Sequence, residues 1–465
     1  MKKLLGTILK KVGINKGAPR VWIEGVFPER AGFKAGLRYT ASSDPNQPRV
    51  VLKIDAAGMR LVSSKTKADR ESPIIDLNSH ELLAAFEGME RVRVILMEGE
   101  IHILPDAIEM KVSERLQRLR KEVESGTISI ASVSHGAGVL SHAMHEGFKS
   151  AGIRPKLTWA CEIREEVLEH AAYANCAWDK DTIAVGMPLQ HLAFADEYTL
   201  SKLPKPSILE GGLPCTAASL SGRSKKGLAK AEDDETAGHL VAAFIALIAR
   251  MSPCIVLLEN VKPYFVTASA SILRTQLKEL GYIVHEKDVE GQDYAIEARP
   301  RHILVAVTKG IELNLDSMIA PPRAVQSVGE VLDLLDPSDE SWRAVEYLKA
   351  KQERDKAAGK GFSMQLIEPS STRVGTIGTG YQKARSTEPR LVHPTNPELS
   401  RLFTPAEHAR LKGIPPHLIK GVESKTFAHE LLGQSVIWPA FKHLGQVLAK
   451  AIQPDVQPQL ALEAA

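Results

Sequence analysis

Cys215 closes the stretch Ser207-Ile-Leu-Glu-Gly-Gly-Leu-Pro-Cys215, a short apolar run followed by two glycines and a proline. The run predicts a strand, Gly211 and Gly212 permit a tight turn, and Pro214 fixes the backbone one residue before the sulfur. A thiol so placed is presented at a strand end, where its thiolate can attack an electrophilic carbon. The residues from Thr216 to Gly227, Arg223 among them, are small, polar and basic, which suits a loop that moves over a bound substrate. Cys254 supplies the contrast: it follows Pro253 but leads straight into Ile-Val-Leu-Leu, so it is expected to be an inert thiol at the start of a buried strand.

Other residue types that do chemistry recur at strand ends. Glu259 terminates the apolar run Ile255-Val-Leu-Leu258, and a carboxylate there is costly to bury unless it has a partner or a task. Arg299 and Arg301 precede the strand His302-Ile-Leu-Val-Ala-Val307; surface salt bridges are the alternative for each. The run Ile128 to Val133 enters Ser134-His-Gly136-Ala-Gly138 and then a helical pattern, so glycines fall where backbone amides meet a nucleotide-like ligand. Glu162 ends the next strand, Leu157 to Cys161, where a carboxylate accepts hydrogen bonds from two ribose hydroxyls; a surface helix cap is the alternative. Together they suggest a cofactor containing adenosine.

These positions need a scaffold. From Thr127, strands alternate with helical segments, which predicts an α/β domain with a largely parallel sheet over residues 127–309. Residues 1–105 alternate short β-type runs with turns and read as a β-rich accessory domain, and 106–126 as an amphipathic linker helix. Regularity is lost over 310–400, a region of recognition-loop composition with one charged helical stretch from Glu340 to about Lys356; helical, core-like sequence resumes over 401–452, and 453–465 read as a disordered tail. The 465 residues are 44% hydrophobic and 25% charged, as in an ordinary globular protein of two or three domains. Four cysteines, at 161, 176, 215 and 254, are too few and too badly spaced for a disulfide framework or a Cys-x-x-Cys metal site, and a reducing cytoplasm fits them. No stretch reads as a signal peptide or membrane span, and a net charge of +3 neither demands nor excludes nucleic acid.

The order of these motifs resembles one family, the DNA cytosine-5 methyltransferases of bacterial or phage type. Its glycine-rich motif matches Ser134 to Leu140, its ribose-binding acid Glu162, its Pro-Cys motif Pro214-Cys215, its Glu-Asn-Val motif Glu259-Asn260-Val261, and its Gln-x-Arg-x-Arg motif Glu297-Ala-Arg299-Pro-Arg301. The late motifs match Arg401 to Gly413 and Leu432-Gly-Gln-Ser-Val436. Departures are Val139 for a second glycine, Thr216 for Gln, Glu297 for Gln and Gln434 for Asn. The resemblance implies a Rossmann-like methyltransferase fold, with 310–400 as target recognition region.

It also implies S-adenosyl-L-methionine as cofactor, S-adenosyl-L-homocysteine as product, and no metal. Cofactor contacts would come from Gly136, Gly138, Glu162, Pro214, Gln434, Ser435 and Asp181, the last assigned to the adenine motif against a rival alignment on Gly186-Met187-Pro188. Cys215 would attack C6 of a flipped-out cytosine, Glu259 would face N3 and the exocyclic amine, and Arg301 would face O2, with Arg299 as support or phosphate ligand. Arg223, Arg373, Tyr381, Gln382, Lys383 and Arg385 are candidate contacts to double-stranded DNA. A monomer acting on DNA, with a possible cognate restriction endonuclease, completes the expectation. A tRNA cytosine-5 methyltransferase and a catalytically inactive DNA-binding member of the fold are the alternatives.

Overall fold

The computed structural model describes residues 2–44, 48–67, 70–214, 230–235 and 238–453. The chain divides into two compact units, Met1–Glu114 and Arg115–Ala465, and the division falls within the helix Ala107–Glu124. In the first unit the strands are β1 (Leu4–Asn15), β2 (Ala18–Glu24), β3 (Arg38–Asp44), β4 (Arg49–Ile54), β5 (Arg60–Leu61), β6 (Ser63–Lys67), β7 (Arg70–Asn78), β8 (Arg91–Met97) and β9 (Glu100–Pro105). They form one antiparallel sheet in the order β5-β3-β4-β9-β8-β1-β2-β7-β6. Strict alternation in β8, with Val92, Val94 and Leu96 buried, gives this sheet its apolar face, which packs around Phe33 and Phe86.

The second unit is built on seven strands: β10 (Thr127–Val133), β11 (Arg154–Glu162), β12 (Ile183–Gly186), β13 (Ile208–Gly211), β14 (Ile255–Asn260), β15 (Tyr282–Val289) and β16 (Arg301–Thr308). Their order is β12-β11-β10-β13-β14-β16-β15, parallel from β12 through β14 and antiparallel where β16 joins β14 and β15. The chain winds outward from β10 in one direction and from β13 in the other, so the order reverses between them. In such sheets the ligand crevice lies at the carboxyl ends of the strands beside that reversal.

Both faces are covered, which is why β14 reads as an unbroken apolar run before Glu259. On one face Ile130, Ile208, Leu257 and Val305 pack against Phe148 of the helix Val139–Ser150 and Phe441 of the helix Trp438–Ile452. On the other, Val133, Leu209 and Leu258 meet Phe244 and Leu247 of the helix Leu240–Met251. The first two helices approach so closely that a Cβ on Gly147 would lie 2.2 Å from the Lys442 carbonyl oxygen. Over residues 343–401 a small sheet forms from β17 (Arg343–Ala344), β18 (Leu366–Ile367), β19 (Arg390–Val392) and β20 (Leu399–Arg401), alongside the helix Glu346–Ala357. No helix among the described residues is long and apolar enough to cross a membrane.

One charged residue sits inside the main sheet. Glu210 on β13 lies in register between Ser132 of β10 and Leu257 of β14 and is wholly buried. Burial pushes its carboxyl up to about 7, against weak help from the Ser141 and Ser132 hydroxyls, neither of which closes a hydrogen bond to it. The folded protein therefore holds a proton that the unfolded chain releases. Stability from this group is full below the ordinary carboxyl value and is lost as pH rises through about 7. Glu210→Gln should raise the melting temperature more at pH 8 than at pH 5, at about 1.4 kcal/mol for each pH unit across that window. A gain independent of pH in thermal unfolding would contradict the assignment.

Candidate active site

The carboxyl ends of β10 and β11 make one wall. Leaving β10, the chain turns through Ser134 and Gly136, both with positive φ, and Gly138 caps the helix Val139–Ser150 in the left-handed region at φ 71°. Only glycine fits at 138, because a Cβ there would lie 2.4 Å from Asn175 Nδ2 and 2.5 Å from His135 Nε2. Asn175 Nδ2 donates to the carbonyls of Ala137 and Gly138 at 3.2 and 2.8 Å, and Trp178 Nε1 donates to His135 Nε2 at 3.1 Å. Burial lowers His135 to about 3, so its ring is neutral. The loop is thus shaped from behind by side chains and presents backbone in front.

Glu162 is fixed against this loop. One carboxylate oxygen accepts the Gly136 N–H at 2.9 Å and the other the Arg164 N–H at 3.2 Å. Each oxygen keeps a further lone pair, enough to receive the two hydroxyls of a ribose. Next to it Ile163 is 64% exposed, and Met187 follows the end of β12, where Gly186 pairs with Glu162. Spacing and pattern had not singled out Ile163; an aliphatic residue directly after a strand-end acid is the signal that would have found it. The exposed Gln434 closes the wall, its Nε2 lying 3.3 Å from where a Cβ of Gly136 would stand. Bare loop backbone, a two-hydroxyl acceptor and adjacent apolar surface are the donor set and shape that an adenosine cofactor requires.

The ends of β13, β14 and β16 make the second wall. Glu259 on β14 and Arg301, the first residue of β16, project from the same face and meet at 2.6 Å. The other Glu259 oxygen faces Gly212, where a Cβ would sit 3.2 Å away. Asn260 Nδ2 donates to the Leu213 carbonyl at 3.0 Å, while its own oxygen accepts the Val261 N–H. Asn260 therefore straps the segment entering Pro214 to the strand that carries Glu259, a role the residue pattern alone had not assigned. Pro214 is exposed and is the last described residue on this segment. Cys215 and Arg223 lie outside the described residues.

Several expected positions are corrected. Asp181 precedes β12 and pairs with Lys156 near the start of β11, at 3.2 Å, so it lies at the amino end of parallel strands whose carboxyl ends hold Glu162. The rival segment, Gly186-Met187-Pro188, occupies the carboxyl end instead. Tyr381 is fully buried: its hydroxyl donates to the Pro389 carbonyl at 2.7 Å and accepts the Phe403 N–H at 3.0 Å, so it cannot touch DNA. Of the two roles expected for Arg299, phosphate ligand is excluded, since it is buried and donates to the Gly433 carbonyl at 2.8 Å, and support remains. Ser435 turns inward, its hydroxyl donating to the Leu431 carbonyl at 2.6 Å. Arg373, Gln382, Lys383 and Arg385 are exposed.

A separate trio is His142, Cys176 and His417, with one possible ligand atom each, all within 4.8 Å of one another. Trp438 Nε1 donates to His142 Nδ1 at 2.9 Å, so neutral His142 carries its proton on Nε2, which points at His417 Nε2 at 3.2 Å. Burial, with His417 beside it, lowers His142 to about 4 and keeps that form. In this tautomer Nε2 offers no lone pair to a metal.

A doubly covered sheet carries a glycine loop, a ribose-type acceptor and an acid–arginine pair at its carboxyl edge, the layout of α/β proteins of the nucleotide-binding class. The family model for C-5 cytosine-specific DNA methylase matches residues 140–450, and the chain belongs to that family. Type II methyltransferase M.SsoII of Shigella sonnei is 29% identical over 258 residues, covering 54% of this chain and 65% of that protein. The DNA-cytosine methyltransferase of Escherichia coli (strain K12) is 27% identical over 316 residues, covering 58% and 64%. The chain thus spans less than two thirds of the length of these relatives. Among solved structures, Dnmt2 methyltransferase of S. pombe superposes with a TM-score of 0.53 at 17% identity, over 70% of this chain and 99% of that one. The Entamoeba histolytica methyltransferase EhMeth does so at 0.53 and 17%, over 69% and 98%. Both carry the same methyltransferase fold.

Proposed function

We propose that this protein transfers a methyl group from S-adenosyl-L-methionine to C5 of a cytosine turned out of double-stranded DNA, through a covalent adduct between Cys215 and C6. The observation that carries the reading is the Glu259–Arg301 pair, joined at 2.6 Å beside Gly212 and strapped by Asn260 to the segment that delivers Cys215. Gly136, Gly138, Glu162 and Gln434 would hold the cofactor, which supplies an electrophilic methyl group when bound.

Cytosine C5 is too weak a nucleophile to take that methyl unaided. Attack by the Cys215 thiolate forms a C6–S bond and drives the ring electrons toward C5 and N3. Glu259 faces N3 and the exocyclic amine, and Arg301 faces O2, so the charge that builds on the ring meets fixed partners. C5 then takes the methyl, loses its proton to solvent, and the electrons left behind expel Cys215 as thiolate. A base inside a duplex hides C6, so it must first leave the stack. The exposed Arg373, Gln382, Lys383 and Arg385 would contact the DNA.

Incubation with labelled S-adenosyl-L-methionine and either duplex DNA or tRNA, followed by mapping of 5-methylcytosine, tests the reading. Label is expected in DNA. Label in tRNA alone would transfer the same chemistry to RNA, and no label in either would point to a binding protein that keeps the fold.

A further inference from the structure

We propose that Glu297 and Lys412 form a buried ion pair that positions Arg301 against Glu259, which makes both of them positioning residues for the base-directed step. This rests on the function proposed above for the Glu259–Arg301 pair. Glu297 occupies the place where the family motif begins with Gln, and the neutral residue has been exchanged for a charge that reaches no solvent. Its Oε1 lies 3.1 Å from Lys412 Nζ and 3.4 Å from Arg299 Nη1, with all three side chains buried.

The geometry ties this cluster to the site in two directions. Residues 297, 299 and 301 follow one another along a single short segment, from the bridge of Glu297 with Val374 to the start of β16 at Arg301, so a shift of Glu297 is passed along it to Arg301. The same segment is pinned by backbone: Glu297 N–H donates to the Leu411 carbonyl at 3.0 Å, one residue before Lys412. Lys412 Nζ in turn reaches the Ser435 carbonyl at 3.3 Å, and Arg299 reaches the Gly433 carbonyl, on either side of Gln434. One buried cluster therefore fixes both Arg301 at the base wall and the peptide that carries Gln434 at the cofactor wall. His408 Nε2 lies 3.7 Å from Glu297 Oε2, but burial holds that ring well below its usual range. Burial, with Arg299 beside it, also pulls the Lys412 amine down to about 7 against the opposing pull of Glu297, so Arg299 is the standing cation and Lys412 carries its charge below that value.

A buried ion pair is weak evidence for stability, since an apolar or neutral pair often serves as well, whereas removing one partner leaves an uncompensated charge. What the pair offers here is registry. The test compares Glu297→Gln, Lys412→Gln and the double variant for melting temperature, kcat, and KM for S-adenosyl-L-methionine and DNA at 25 °C. Glu297→Gln should lower kcat by up to roughly 100-fold, the cost of a misplaced catalytic group, with a much smaller change in KM for the cofactor because Lys412 and Arg299 keep their bonds to the carbonyls beside Gln434, and the neutral double variant should recover most of the loss in kcat. A wild-type kcat accompanied only by a lower melting temperature would overturn the proposal, as would a double variant no better than the single ones. Should Glu297→Gln fail to fold, Lys412→Gln carries the test, because Glu297 then retains Arg299. Glu259→Gln and Arg301→Ala run in parallel separate the two readings: full activity in both removes the base-site assignment itself, while loss in both with normal Glu297→Gln kinetics removes only the positioning pair.

Discussion

Cys215→Ala is expected to lose methyl transfer to cytosine entirely and to form no adduct with DNA containing 5-fluorocytosine, whereas the wild-type protein becomes covalently joined to it. Fluorine at C5 cannot leave as a proton does, so the reaction halts with the C6–S bond intact, and denaturing electrophoresis or intact mass reads the product. The other thiols explain why a single residue should carry the effect. Burial pushes Cys161 up to about 12 and raises Cys254 as well, so neither offers a thiolate. Cys176 is exposed but lies beside His417, which in turn meets His142 of the helix Val139–Ser150, not Glu259 or Arg301. Cys176→Ala should therefore keep the adduct. An adduct that survives in Cys215→Ala would mean that another nucleophile attacks the ring.

Glu259→Gln has the second largest expected effect, a fall in kcat of roughly 10²–10⁴-fold, the usual worth of a positioned acid or base. The amide keeps the size of the side chain but gives up the charge that orients Arg301, so two partners of the ring are disturbed at once. Binding of S-adenosyl-L-methionine should be untouched, since Glu162 and the glycine loop stand at the ends of β11 and β10, away from β14. Calorimetry on the cofactor and single-turnover kinetics on DNA separate the two quantities. Equal loss of both would show that the walls are not independent, and an unchanged kcat would remove Glu259 from the chemistry.

Much of the main sheet was legible because its strands are buried on both faces and read as apolar runs. Ile128 to Val133, Leu157 to Cys161 and Ile255 to Leu258 lie within β10, β11 and β14. β15 escaped notice because it carries His285, Glu286, Lys287 and Asp288, the mixed pattern of an edge strand. At the site, residue type was informative where a charge ended an apolar strand, as at Glu162 and Glu259. It misled where charge or a hydroxyl was equated with exposure. Tyr381 has a hydroxyl that suits DNA, but its partners, the Pro389 carbonyl and the Phe403 N–H, are supplied by backbone that the residue pattern does not reveal. Asp181 was chosen by spacing, and spacing does not say on which end of a strand a loop residue falls.

The bridge between Val374 and Glu297 ties the stretch after residue 310 to the arginine segment. Val374 N–H donates to the Ile296 carbonyl at 2.9 Å, Ala298 N–H to the Val374 carbonyl at 2.8 Å, and Gly433 lies so near Gly378 and Thr379 that only glycine fits. An exchange of residues 310–400 as one block would carry this seam away and leave the arginine segment without its neighbour. Residues 374 to 379 are structurally part of the arginine segment and of the peptide at Gly433, so an exchange that retains them is expected to leave Arg301 in place where one that removes them does not.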